Sequence, residues 1–219
     1  MVGYTELRTR PLCCDWMREH TLISPEEITV LILAGGRGSR MGGRDKGLIS
    51  IRGKPALDHL LARIGLQSRH ILISANRNFE HYARYGYPVV RDTVAGFAGP
   101  LAGVLAGFSA SSSAFLLTLP VDAPLVSPDY LERMTRCLQQ SDKPACVAEC
   151  QGQLEPVFCL AEHGTARALE SYLAAGHRSV QGWLERIGAT RADFSDVPQQ
   201  FINLNRAGDQ RRLEALLGG

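Results

Sequence analysis

Residues 28–33 read ITVLIL, an unbroken run of apolar and β-branched residues that leads straight into LAGGRGSRMGGRDKGL, residues 33–48. A run this short and this apolar predicts a strand buried on both faces, which in turn predicts a parallel sheet covered by helices on either side. The glycine-rich segment leaves the carboxyl end of that strand, where open α/β sheets bind their ligands.

The remaining pattern agrees with that start. Strands are predicted at His70–Ala75, Pro88–Arg91 and Ala114–Leu119, each a short apolar run, and later at Ala145–Glu149, Glu155–Ala161, Thr190–Phe194 and Phe201–Leu204. Helices are predicted at Pro55–Gly65, Phe79–Tyr85, Gly99–Ala110, Pro128–Gln140, His163–Ala175, Val180–Ile187 and Asp209–Leu217. Strand and helix alternate, which predicts an α/β fold: a single doubly wound, Rossmann-like, mostly parallel sheet. Residues 1–27 show no clear period and are read as an N-terminal extension, frayed or disordered, with 28–219 as one domain.

Composition narrows the function. The chain has 219 residues, 45% hydrophobic and 21% charged, enough for a full core. Its net charge of +2 is too small to make nucleic acid or an anionic membrane the expected partner. No apolar run is long enough to span a bilayer, and the first twenty residues lack a signal-peptide core. The six cysteines form no C-x-x-C pair and are read as buried, reduced thiols of a cytoplasmic protein.

Charge near the first strand is concentrated instead. Gly35, Gly36, Gly38, Gly42 and Gly43 allow backbone N–H groups to approach an anion, and Arg37, Arg40, Arg44 and Lys46 surround them against one acid, Asp45. That combination suits a nucleoside triphosphate. Three familiar motifs do not fit: the Walker loop lacks its Lys and hydroxyl, the dinucleotide fingerprint lacks its third glycine, and the kinase signatures are absent. Asp122, in LPVDAPL just past the fourth strand, is placed to face the same crevice and to hold Mg²⁺ on substrate phosphates. Asp92 ends the third strand, and Asn203 and Asn205 end a late one, where amide oxygens suit a metal or a ribose.

LILAGGRGSRMGGRDKGLISIRGKPALDHLL is similar to the opening of the molybdenum cofactor guanylyltransferase family. The resemblance continues through ISANR, VVRD, GPLAG, LPVDAP, the Glu155-Pro156 strand and FINLN, over about residues 28–210. It implies a fold of the nucleotide-diphospho-sugar transferase type. It also implies a reaction in which GTP and molybdenum-bearing molybdopterin give the guanine dinucleotide cofactor and pyrophosphate, with Mg²⁺ as cofactor. By the same resemblance Leu33, Ala34, Gly35 and Gly36 bind the nucleotide, Lys46 and Arg40 its phosphates, and Asp92 its nucleoside. Asp122 takes the metal, Asn203 and Asn205 join the active site, and Asn205 stands on the metal side.

Two positions depart from the family pattern: Ser74 replaces a frequent Asn, and RAGDQ follows Asn205 in place of a Thr-Pro-acid-acid run. Arg178 and Arg186 are the candidates for gripping the pterin. The chain is read as a monomer that meets other proteins of cofactor biosynthesis. The competing readings are a cytidylyl or sugar-phosphate nucleotidyltransferase, a non-catalytic nucleotide binder and an oxidoreductase.

Overall fold

β1, Ile28–Leu33, runs through the centre of a seven-stranded sheet with its first five residues buried. A turn at Pro25–Glu27 precedes it, capped by Ser24 with Glu27 answering in a capping box. The structure, a computed structural model, describes residues 23–35, 44–92 and 99–218; the extension over 1–22 lies outside them. β1 pairs in parallel with β4 (Ile71–Ser74) on one side and β6 (Phe115–Pro120) on the other, so that Val30 stands between Ile71 and Leu117. With β5 (Val89–Val90), β7 (Ala145–Cys150), β8 (Gln153–Glu162) and β9 (Thr190–Asp193), the strand order is 5-4-1-6-8-7-9. β8 alone of the seven runs antiparallel to its neighbours, β6 and β7.

Helices α1 (Ala56–Ile64) and α4 (Tyr130–Gln139) pack on one face, and α3 (Pro100–Ala110), α5 (Ala166–Ala174) and α6 (Val180–Ile187) on the other. The first face buries Ile28, Val30 and Ile32, the second Leu31, which is the alternation expected of a strand covered on both sides. α3 lies close against β1: a Cβ on Gly107 would stand 2.5 Å from Leu31 Cδ2, and one on Gly103 2.7 Å from Leu33 Cδ2. α2 (Phe79–Ala83) is a single short turn between β4 and β5. No described helix is long and apolar enough to cross a membrane.

Two features depart from the sequence expectation. A small hairpin, β2 (Ser50–Ile51) and β3 (Lys54–Pro55), turns through Arg52 and Gly53 at φ 49° and 79°, the two-residue geometry that favours glycine. Strands of two residues are too short to show a period. Residues 201–204, expected as a strand, are instead the end of a 3₁₀ turn (Pro198–Phe201) and an irregular segment. Their apolar residues pack individually: Phe201 stands edge-on to Phe158, and Leu204 is buried in a third core cluster with Ile49, Ile51, Ala56, Leu125 and Leu213 of α7 (Ala207–Leu216). The backbone N–H of Leu204 is taken by the carbonyl of Asp122, so no ladder forms.

Candidate functional site

The parallel strands β1, β4, β5 and β6 deliver Leu33, Ser74, Val90 and Pro120 to one edge of the sheet. Strand order reverses at β1, which opens a crevice above its carboxyl end. Ala34 continues the β1 line by donating its N–H to Ser74 O at 2.8 Å. Gly35 is close to Asn76: a Cβ there would lie 3.2 Å from the amide nitrogen. Gly36 and Arg40 lie outside the described residues.

Asp45 anchors the chain where it leaves the glycine-rich loop. Its buried carboxylate accepts from Tyr82 Oη at 2.6 Å, Asn78 Nδ2 at 2.9 Å and the N–H of Gly47 at 3.2 Å, with the Arg77 guanidinium at 3.8 Å. Burial, and then the bond to Asp45, hold the Tyr82 phenol protonated far above its ordinary range. Gly47 has no room for a side chain, because a Cβ would meet Val121 Cγ2 at 2.6 Å and Tyr82 Oη at 2.7 Å. The acid of the D-K-G sequence is thus a strut and its glycine a contact point. Between them Lys46 is turned toward the crevice.

Lys46 Nζ donates to Asp122 Oδ2 at 2.8 Å and to Asn205 Oδ1 at 2.6 Å. The two side chains of the ion pair are 24% and 12% exposed, so the pair is shielded enough for the attraction to exceed that of a surface bridge. Asp122 is held by its backbone. Val121 donates to Leu33 O at 3.1 Å, Ala123 to Pro120 O at 3.3 Å, and Asp122 itself accepts from Leu204 at 3.0 Å. The last of these bonds places Asn203 and Asn205 on either side of the Asp122 backbone. Asp209 then secures the segment by accepting from the N–H groups of Asn205 (3.0 Å) and Arg206 (2.8 Å), so the departure from the family pattern after Asn205 still supplies an acid that caps α7. The buried Oδ1 of Asn203 accepts no hydrogen bond among the described residues.

Asp92 stands across the crevice. Asn76 grips it twice, donating from Nδ2 to Oδ2 at 2.6 Å and accepting the Asp92 N–H at 3.0 Å. Ser74 is buried and reaches the same carboxylate at a long 3.5 Å. An amide contact to Asp92 therefore comes from Asn76, two residues past Ser74. Arg178 does not reach for a ligand: its guanidinium donates to the carbonyls of Leu173 and His177 at 2.9 and 2.7 Å. Lys46, Asp122 and Asn205 are brought together, and Asp92 and Ser74 are paired. Asp45, Asn76, Asn78 and Tyr82 are the residues sequence reasoning passed over; ISANRN and D-K-G contain three of them, but only their contacts show what they hold.

The donor set can be tested for Mg²⁺. Asp122 and Asn205 present two hard oxygens within 2.8 Å of one cationic atom, the Lys46 ammonium. No group of three or more His, Cys, Asp or Glu gathers among the described residues. Such a pair suits a small divalent ion that shares its coordination with phosphates and water, and does not suit one caged by protein alone.

Fold and crevice together define an α/β nucleotide-handling enzyme of the nucleotidyltransferase class. The family model of the MobA-like NTP transferase domain matches residues 30–190. A molybdenum cofactor guanylyltransferase of Ralstonia nicotianae is 41% identical over 201 residues, covering 88% of this chain and 98% of that one. One from Cupriavidus metallidurans is 40% identical over 189 residues, covering 84% and 93%. Among solved structures, the molybdopterin-guanine dinucleotide biosynthesis protein A of Archaeoglobus fulgidus superposes with TM-score 0.74 at 22% identity, over 87% of this chain and 98% of that one, which establishes a common fold. The 2-C-methyl-D-erythritol 4-phosphate cytidylyltransferase of Thermus thermophilus shares the fold at TM-score 0.65 and 16% identity, over 86% and 98%. The chain belongs to the MobA-like NTP transferase family.

Proposed function

We propose that the protein transfers GMP from GTP to molybdenum-bearing molybdopterin and releases pyrophosphate, through one domain over residues 28–219. The observation that carries this reading is Lys46 held against Asp122 and Asn205 beside the strand-end loop, in a chain about 40% identical to guanylyltransferases along most of its length. Leu33, Ala34, Gly35 and Gly36 would receive the nucleotide, Asp92 on its Asn76 support the nucleoside, and Asn203 the substrate through its unpartnered oxygen. Substrate GTP and molybdopterin meet in the cytoplasm, the protein acts as a monomer, and other proteins of cofactor biosynthesis deliver and collect the pterin.

The nucleophile is a phosphate oxygen of the pterin and is already an anion, so no general base is required. It attacks the α-phosphorus, the bond to the β-phosphate oxygen breaks, and pyrophosphate departs. Repulsion between two anions and charge growing on the leaving group are the obstacles. Lys46 can exchange Asp122 and Asn205 for phosphate oxygens, and Arg40 adds a second cation. Asp122 with Asn205 would hold Mg²⁺, which would supply positive charge at the phosphates. The crevice walls set the in-line approach.

Release of pyrophosphate from GTP on addition of loaded molybdopterin tests the reading, with CTP and UTP as comparisons. Asp122→Ala and Lys46→Ala are each expected to lower turnover by roughly 10²–10³-fold, the usual cost of removing one preorganised electrostatic group. Wild-type turnover in a folded Asp122→Ala protein, or a preference for CTP, would refute it.

A further inference from the structure

β8 carries a carboxylate that has no part in the core or in the contacts around Lys46. Thr118 of β6 is register-paired with Cys159 of β8. β6 ends at Pro120, two residues before Asp122, and Glu155, paired with Ala148 of β7 one rung beyond the Val147–Cys159 pair, stands near that same end. Adjacent strands run about 4.8 Å apart, so the two acids reach the same edge of the sheet on neighbouring lines of chain. Between Cys159 and Glu155 the strand β8 is irregular. Val147 of β7 pairs with Cys159 but the next residue, Ala148, pairs with Glu155, leaving Pro156, Val157 and Phe158 bulged out of the ladder. The bulge is anchored: Thr118 Oγ1 donates to Val157 O at 2.5 Å, and the Phe158 ring packs edge-on against Tyr130 and Phe201. Bulges of this kind re-aim side chains, and they concentrate near functional sites.

Glu155 is half-buried and makes no hydrogen bond or ion pair among the described residues. Burial alone pushes its carboxyl above the ordinary range. Leu154 packs toward the α3, α5 and α6 face, so Glu155 is turned to the opposite face, near Tyr130, whose buried hydroxyl is itself unpartnered. Asn203 reaches the same margin of the sheet two residues beyond Phe201, which packs on Phe158, and its Oδ1 is a second acceptor without a donor. A half-buried acid with nothing to accept from is costly to keep unless a ligand supplies the donors.

We propose that Glu155 receives the pterin substrate, accepting the ring N–H and exocyclic amino group of its 2-amino-4-oxopyrimidine edge. Two N–H donors side by side match the two oxygens of one carboxylate. Guanine presents the same edge, and position separates the two. Asp92 and its Asn76 support stand on the β4–β5 side of the crevice, whereas Glu155 stands on the β8–β7 side, past Asp122. With phosphates at Lys46 and Asp122 between them, the nucleoside and the pterin extend in opposite directions. This inference rests on the guanylyltransferase reading.

The test measures GMP transfer and binding for Glu155→Ala and Glu155→Gln, with their melting temperatures as the check on folding. Binding of metal-free molybdopterin, followed by anaerobic titration calorimetry without GTP, gives a readout independent of turnover. Glu155→Ala is expected to raise both the pterin Kd and the pterin KM by about 10- to 100-fold, the loss of a charge-assisted pair, with the GTP KM unchanged. Glu155→Gln, which keeps one acceptor, is expected to fall between Ala and wild type. A rise in the GTP KM matching that for pterin would overturn the assignment, as would a folded Glu155→Ala protein with wild-type pterin binding. Wild-type protein that binds molybdopterin but transfers no GMP would refute the guanylyltransferase reading and leave the binding arm to judge Glu155.

Discussion

Asp45 and Glu155 are both carboxylates withdrawn from water, and their surroundings differ in kind. Asp45 accepts from a phenol, an amide and a backbone N–H, whereas Glu155 has no donor among the described residues. An acid whose folded pKa lies above its unfolded one binds more protons in the folded state. Its penalty is therefore absent at low pH, sets in as pH rises past the ordinary carboxylate range, and is complete above the folded value. Glu155→Gln should accordingly melt higher than wild type near pH 8 and lose that advantage near pH 4, a comparison that scanning calorimetry resolves. A Gln variant melting lower than wild type at pH 8 would contradict the account of burial. Lys46 and Asp122 were legible in the sequence because Lys46 closes a glycine-rich, basic run after the first strand and LPVDAP marks a strand end. Asn76, Asp45 and Glu155 were not, because a polar residue beside a strand looks the same whether it braces another side chain, as Asn76 does, or waits unpaired, as Glu155 does.

At the scale of elements, the contact between α3 and β1 is the tightest joint near the crevice. Gly103 and Gly107 lie one turn apart on α3 and meet Leu33 and Leu31. Gly107→Ala gains about 1 kcal/mol of helix propensity, yet its new methyl would overlap Leu31 Cδ2 at 2.5 Å. Overpacking of this sort costs about 1–3 kcal/mol, so net destabilisation is expected in a urea titration. Stability equal to wild type would mean that the helix can lift off the strand. Element identity was otherwise readable where patterns were long or strong. β1 and α6 have the bounds their apolar runs imply, and β4, β6, β7 and β9 differ by a residue or so at their ends. The antiparallel direction of β8 was not readable, since an apolar run buried on both faces carries no sign of which way its neighbours point. Residues 201–204 misled for a related reason: the apolar residues there fill two different clusters and belong to no ladder.

The whole molecule closes around its third cluster, in which Leu204 and Leu213 cover Ile49, Ile51, Ala56 and Leu125. That cluster ties the hairpin after Lys46 to the segment after Asp122 through α7. Deleting residues 206–219 removes Leu213 and the Asp209 cap that positions Asn205. The shortened protein is expected to keep its far-ultraviolet circular dichroism, melt lower, and lose GMP transfer by at least about 10-fold, in line with loss of a positioning group. Full activity in that protein would show that α7 does not set the site. Lys46 reaches across 76 residues of chain to Asp122 and across 159 to Asn205. Such distant pairings close late in folding, after local helices and neighbouring strands have formed. A refolding chain will therefore regain its secondary structure before it regains turnover, and the lag between the two is a stopwatch on when the far end of the chain docks.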